Sequence, residues 1–120
     1  MSEVRFTVET VSGVPVVVTP EEVDITNAAG LRAALLEATR RGPGRLVVDM
    51  SRTVFCDTAG IHALVEAHKR AGAGGGEVRL VITGPAVLRI FAITGLDHVI
   101  PYFASLEEAL TATARGADGT

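Results

Sequence analysis

An acid and a hydroxyl adjoin at Asp57-Thr58, where an apolar run typical of a strand gives way to a helical pattern. An aspartate at such a junction can cap the helix, because its carboxylate accepts backbone N–H groups of the first turn. The Thr58 hydroxyl would then lie at the exposed helix tip, beside the small Ala59 and Gly60. Two interpretations stay open: plain capping with Thr58 as a spectator, or a hydroxyl on which another protein acts.

Cys56 raises the question of thiol chemistry. A cysteine-phosphatase loop needs an arginine six positions after the cysteine, so that the guanidinium clamps the phosphate opposite the thiolate. Position 62 is histidine here, and the next arginine is Arg70. Cys56 is therefore better explained as a small buried thiol at a strand end.

Asp49 ends an apolar run, as the phospho-accepting aspartate of a receiver domain does. A receiver also needs an acidic pair for Mg²⁺ and a lysine near the end of a later strand. The only lysine, Lys69, falls in a predicted helix, and no acidic pair ends the first strands suitably. These absences argue against a receiver domain.

Neither the glycines nor the histidines predict a ligand site. The glycines between 72 and 76 follow a predicted helix and lead into a strand, whereas a phosphate cradle opens a helix. His62 and His68 are six residues apart and so lie on different helix faces, and His98 is remote. We expect no metal, no cofactor and no enzymatic activity; a small-molecule enzyme or nucleotide binder is the least favoured class.

Composition limits the function further. The chain has 120 residues, 48% of them hydrophobic and 21% charged, which predicts one globular domain. Its net charge of −3, without a basic cluster, gives no footprint for nucleic acid. No apolar run approaches the roughly 18 residues that span a bilayer, and no signal-peptide layout is present. We therefore expect a cytoplasmic protein with no direct membrane contact.

The elements that must position Asp57-Thr58 alternate in type. Two β-rich runs, 4–10 and 14–20, meet at Ser12-Gly13 and predict a hairpin. A helix follows, with possible capping side chains in 24–27, apolar residues at helical spacing and a stop at Gly42-Pro43-Gly44. The run 46–50 is continuously apolar until Asp49, as in a strand covered on both faces.

The second half repeats this alternation. We predict a helix over 58–71, a loop at 72–77 and a buried strand over 78–83. A helix from Pro85 to the stop at Gly95, a short strand within 98–103 and a helix opened by a Ser105–Glu108 capping box complete the pattern. Residues 115–120 are expected to be a flexible tail. The order predicts an α/β sandwich.

A longer signature surrounds the junction. Asp49-Met50-Ser51, Val54-Phe55 and Asp57-Thr58-Ala59-Gly60-Ile61 resemble the signature of the STAS family, in particular its anti-anti-sigma factors. The likeness covers about residues 4–113, including the Val23-Asp24 element, Gly-Gly-Glu before the later strand, "LRIFAITGLDHVI" and "SLEEAL". It implies one STAS domain over 1–120, with a mixed central sheet and about four helices packed mainly on one side.

The resemblance also implies a function. These proteins bind an anti-sigma factor that is itself a kinase of the histidine-kinase-like ATPase fold, which frees the sigma factor. Phosphorylation of the hydroxyl residue after the motif aspartate, here Thr58, breaks the complex, and a PP2C-type phosphatase restores it. The residues implied to bind the partner are Asp24, Asp57, Thr58, Ala59, Gly60 and Ile61.

Two departures from the family pattern leave alternatives open. The acceptor is Thr58 where serine is usual, so a different kinase preference is possible, as is a scaffold or accessory role in a stressosome-like or transport-associated assembly without a phospho-switch. Glu21-Glu22-Val23-Asp24 replaces Gly-Glu-Leu-Asp, which keeps the aspartate and loses the glycine. Whether Ser51 or Thr53 is a second acceptor is also open.

Overall fold

A computed structural model describes residues 6–41 and 44–112. Three sequence predictions fall wholly or partly outside these described residues: the start of the first strand at 4–5, the Gly42-Pro43 stop and the tail at 115–120.

The chain begins with the predicted β-hairpin. Strands β1 (Thr7–Val11) and β2 (Val14–Val18) pair antiparallel. Ser12 and Gly13 both have positive φ, 52° and 79°, as in the two-residue turn whose twist matches the flanking strands. Glycine reaches this conformation without steric cost, so the turn falls where the sequence predicted it.

A mixed five-stranded sheet forms the centre of the described residues, with the strand order β1, β2, β4 (Arg45–Met50), β6 (Glu77–Ile82) and β7 (Tyr102–Phe103). Its middle strands, β4 and β6, are parallel to each other, and β2 is parallel to β4. Leu46, Val47 and Val48 are successive and all buried, which confirms that this strand is covered on both faces.

The short strand predicted within 98–103 is β7, which comprises Tyr102–Phe103 at the sheet edge. Residues Leu96–His98 form a 3₁₀ turn before it, and the amides of Val99 and Ile100 both donate to the Leu96 carbonyl. Those amides are thereby unavailable to a strand ladder, which explains why β7 does not begin earlier in that range.

Of the four helices within the described residues, three pack on one face of the sheet. They are α1 (Ala28–Arg40), α2 (Thr58–Ala73) and α3 (Pro85–Thr94), and their apolar residues form one core with β4 and β6. The short α4 (Leu106–Thr111) covers the other face, where Ala109 packs with Val16, Val47 and Val81. The predicted α/β fold, with helices mainly on one side, is confirmed.

Helix ends follow the local signals closely. The second helix runs two residues beyond its predicted end, which shortens the glycine loop, and α3 begins at Pro85 and ends at Gly95, whose φ is 79°. Ser105 caps α4 by accepting the Glu108 amide. The Glu108 carboxylate returns to the Ala104 amide, one residue earlier than in a standard capping box.

Candidate functional site

A two-stranded parallel sheet that the sequence analysis missed builds the site. Strands β3 (Glu22–Val23) and β5 (Phe55–Cys56) pair with Val23 opposite Cys56, and the Asp57 amide donates to the Val23 carbonyl at 3.0 Å. Asp24 and Asp57 therefore follow neighbouring strands at the same end. Strands of two residues carry no periodic pattern, which is why only their pairing in the fold reveals them.

Asp57 caps α2, as predicted. Its Oδ1 accepts the Ala59 amide at 2.9 Å and the Gly60 amide at 3.3 Å. The carboxylate is thus bonded to the first turn of the helix and fixes where α2 begins.

Thr58, the first residue of α2, is exposed. Its neighbours become steadily more covered: Ala59 is half-buried, Gly60 is buried and Ile61 keeps only 7% of its surface. A Cβ on Gly60 would lie 2.6 Å from Val23 Cγ1, so α2 lies directly against β3. Of these positions Thr58 is the most accessible to another protein, while Gly60 and Ile61 lie in the packed interior beneath it.

Asp24 does not cap α1, contrary to the prediction for residues 24–27. Its Oδ1 accepts hydrogen bonds from the amide and hydroxyl of Thr26. Asn27, the residue before α1, directs its side chain to the Asp24 amide and the Glu22 carbonyl, and so makes no cap either. The Thr26 bonds, its hydroxyl foremost, lower the pKa of Asp24, so this half-exposed carboxylate is ionised at neutral pH.

Three large apolar side chains beside the two aspartates are exposed. Ile25 follows Asp24 and is 78% exposed, and Val54 and Phe55 are 58% and 48% exposed. Their exposure escaped the sequence analysis because an apolar residue in a short run suggests a core position. The alternation of exposed Phe55 with buried Cys56 is the only local signal for it.

The two other hydroxyls of the signature differ in access. Thr53 is 1% exposed, and its Oγ1 lies 2.6 Å from the Pro20 carbonyl oxygen, so a kinase cannot reach it in the folded chain. Ser51 is exposed, and its amide donates to Asp49 Oδ1. Ser51 is therefore accessible as a candidate second acceptor, whereas Thr53 is buried and held by its hydrogen bonds.

Cys56 is buried, as predicted from its place at a strand end. Desolvation, and secondarily the charge of Asp57, raises the pKa of its thiol to about 12. The thiolate that nucleophilic chemistry requires is therefore disfavoured.

The three histidines differ in exposure and lie at different places in the fold. His62 and His98 are exposed, and His68 is half-buried on α2. Within residues 6–41 and 44–112 no cluster of three His, Cys, Asp or Glu side chains could hold a metal ion. Among the same residues no helix combines the length and apolarity needed to cross a membrane.

The fold, the signature and the exposed Thr58 next to the aspartate that caps α2 together define a class of domain. The model of the STAS domain family matches residues 5–109. The chain belongs to the STAS domain family.

Its relatives include anti-sigma factor antagonists. The anti-sigma-F factor antagonist RsfB of Mycobacterium tuberculosis is 29% identical over 94% of this chain and 92% of its own length. The crystal structure of an anti-sigma factor antagonist from Mycobacterium paratuberculosis is 34% identical, covers 89% of this chain and 91% of its own, and superposes with a TM-score of 0.82.

The fold is also that of the Bacillus cell fate determinant SpoIIAA. Its unphosphorylated form is 23% identical, covers 96% of this chain and 97% of its own, and gives a TM-score of 0.74. Its phosphorylated form is also 23% identical, covers 88% of this chain and 96% of its own, and gives a TM-score of 0.68.

Proposed function

We propose that this protein is an anti-sigma factor antagonist switched by phosphorylation of Thr58. Unphosphorylated, it binds an anti-sigma factor kinase of the histidine-kinase-like ATPase fold, and the sigma factor is released. Phosphorylated, it leaves the kinase until a PP2C-type phosphatase removes the phosphate. In this cytoplasmic cycle the protein is a binding partner and substrate and needs no cofactor. The observation that carries the proposal is the exposed Thr58 beside its capping aspartate.

The folded domain should tolerate the phosphate. A phosphothreonine adds about −1.5 to −2 charges and three acceptor oxygens. At the N-terminus of α2 the helix dipole favours an anion by roughly 0.3–1 kcal/mol. The phosphate also lies on a surface already open to water, so no buried contact has to break.

The complex with the kinase should not tolerate it. Asp24 and Asp57 already place two carboxylates at this end of the β3–β5 pair, and the exposed Ile25, Val54 and Phe55 supply apolar surface that a partner can cover. Aromatic and apolar contacts surrounded by polar groups are typical of protein interfaces. A dianion desolvated among these acids would cost ~2–3 kcal/mol, which weakens binding about 30- to 150-fold.

The test uses charge at Thr58. We expect Thr58→Glu to weaken binding to the cognate kinase about 30-fold or more by calorimetry, with little change in melting temperature. Thr58→Ala should bind and resist phosphorylation. Ala73→Glu, which places the same charge at the exposed far end of α2, is the control and should bind as wild type does.

Two results would count against the proposal. Equal binding by wild type and Thr58→Glu would remove the switch and favour the scaffold alternative. Phosphorylation that persists in Thr58→Ala, located by mass spectrometry, would move the acceptor elsewhere, with Ser51 the first position to examine.

A further inference from the structure

A buried pair of hydroxyls lies at the start of the two chain segments that lead to Asp24 and Asp57. Thr19 and Thr53 are each 1% exposed, and their Oγ1 atoms are 2.6 Å apart. Thr53 Oγ1 also lies 2.6 Å from the Pro20 carbonyl oxygen and donates its only proton there. The proton between the two hydroxyls therefore comes from Thr19, whose Oγ1 is a longer 3.3 Å from the Asp49 carbonyl oxygen.

The pair ties together segments that are distant in sequence. Thr19 and Pro20 follow β2, Asp49 is in β4, and Thr53 belongs to the connection between β4 and β5. The Thr19 amide donates to the Asp49 carbonyl at 3.1 Å as well. The hydroxyl pair thus fixes the spacing between the chain after β2 and the chain that carries the STAS signature.

Backbone hydrogen bonds continue this pairing as far as the site. The amides of Val54 and Phe55 donate to the Glu21 carbonyl at 2.8 and 3.3 Å, and the Asp57 amide donates to the Val23 carbonyl. The segments 19–23 and 53–57 consequently run side by side. A shift at Thr53 would pass along this ladder to Asp57, which sets the start of α2.

On its other side, the connection between β4 and β5 contacts Thr83 and Gly84, the two residues that precede α3. Thr83 Oγ1 donates to the Ser51 carbonyl at 2.9 Å. A Cβ on Gly84 would lie 2.9 Å from the Thr53 carbonyl oxygen, so the two backbones are in close contact. The connection therefore contacts the chain on both sides at Thr53: its buried hydroxyl bonds to the segment after β2, and its carbonyl lies against Gly84.

We propose that Thr53 is a positioning residue for the phosphorylation site: its hydroxyl, bonded to Thr19 and Pro20, sets the place at which Asp57 and Thr58 are presented. The proposal rests on the function proposed above for Thr58. Thr53 touches neither the kinase nor the phosphate. Valine is nearly the same shape and lacks the hydroxyl, so it would leave the Pro20 carbonyl without this donor and Thr19 without its acceptor.

The experiment compares three variants. Thr53→Val removes the hydroxyl, and Thr53→Ser keeps it and removes the methyl group. Thr39→Val is the matched control, because the Thr39 hydroxyl also donates to a backbone carbonyl, that of Leu35, within α1. Amide hydrogen exchange by NMR and the Kd and phosphorylation rate with the cognate kinase are measured at a temperature where all variants are folded.

We expect Thr53→Val to speed exchange of the Val54, Phe55 and Asp57 amides about tenfold and to raise the Kd for the kinase about tenfold. Thr53→Ser and Thr39→Val should match wild type in both. The inference is overturned if exchange at these amides in Thr53→Val equals that in Thr39→Val, or if Thr53→Ser behaves like Thr53→Val. Should wild type bind no anti-sigma kinase, the proposed function fails, and the exchange data still decide the role of Thr53.

Discussion

Neighbouring residues at the N-terminus of α2 have different structural roles. Asp57 bonds the first-turn amides, Thr58 remains exposed and Gly60 lets the helix approach β3. A capping side chain and a hydroxyl that a partner can reach are therefore compatible at adjacent positions. Capping and modification, which the sequence presented as competing interpretations, can both hold.

Gly60 gives a sharp test of this arrangement. An added methyl group would lie 2.6 Å from Val23 Cγ1 and 2.9 Å from Cys56 Sγ, so these buried side chains or the elements that carry them must shift. We expect Gly60→Ala to lower the free energy of unfolding by about 1–3 kcal/mol in urea titrations, as overpacking does. Kinase binding should weaken as well, since Val23 precedes Asp24.

The control for Gly60 lies in the same helix. A methyl group added at Gly72 would meet no heavy atom within 4 Å apart from its chain neighbours and the nearby backbone of α2 itself. Gly72→Ala should leave stability unchanged or raise it by up to about 1 kcal/mol through helix propensity. A Gly60→Ala protein as stable as the Gly72→Ala one would show that the contact with β3 is not tight.

Among the elements, α4 has the most unusual attachment. It is six residues long, too short to be stable alone, and two arginines from the sheet bind carbonyls in its last turn. Arg79 Nη1 donates to the carbonyls of Ala109 and Ala112, each at 2.8 Å, and Arg45 Nη1 donates to that of Leu110 at 3.0 Å. Cations at this end also complement the helix dipole.

Arg79 is completely buried, in the strand that was predicted to be buried. Its Nε is 2.6 Å from a Glu77 carboxylate oxygen, and its guanidinium carbon lies 5.3 Å from the centre of the Phe103 ring. The strand pattern could not indicate this role, because the carbonyls that Arg79 satisfies lie about thirty residues later.

Replacing Arg79 should therefore loosen α4. We expect Arg79→Met to lower the free energy of unfolding by about 3–5 kcal/mol, because Glu77 and the helix carbonyls lose their partner. Arg32→Met is the control: Arg32 forms an exposed pair with Glu66, and its loss should cost less than about 1 kcal/mol. Chemical denaturation measures both, and equal losses would contradict the assigned role.

At the scale of the whole molecule, the proposed switch requires that the domain stay folded when Thr58 carries a negative charge. Cys56 reports on this, because it is buried between β3 and α2 and its pKa is raised from 9.0 to about 12. The folded state therefore favours the protonated thiol, so this group reduces stability as the pH rises above 9 and the unfolded thiol ionises.

We expect Cys56 to react with a thiol reagent at pH 8 only as the protein unfolds. Modification should be at least about 100-fold slower in buffer than in denaturing urea, since folded proteins of ordinary stability open rarely. Thr58→Glu should react as slowly as wild type if the switch involves no refolding. Ser51→Cys, on the exposed part of the same connection, is the positive control. Rapid reaction of Cys56 in native Thr58→Glu would indicate that the charge opens the core.

Local signals in the sequence determined most of the fold. The Ser12-Gly13 turn, the continuous strand of β4, the cap at Asp57 and the Pro85 and Gly95 limits of α3 depend on residues within a few positions of one another. Backbone geometry and capping act over such distances, so the pattern alone is informative. The resemblance to the STAS signature also indicates Thr58 as the candidate acceptor, independently of its exposure.

Only the tertiary structure decided how the site is assembled. The β3–β5 pair, the Thr19–Thr53 hydroxyls and the hydrogen bonds from Arg79 to α4 each join residues about thirty positions or more apart. Val54 and Phe55 are exposed at this same pair, in which β3 is the only strand that pairs with β5 among the described residues. These contacts exist because chain segments meet after folding, and no pattern within a single segment records which partner it will meet.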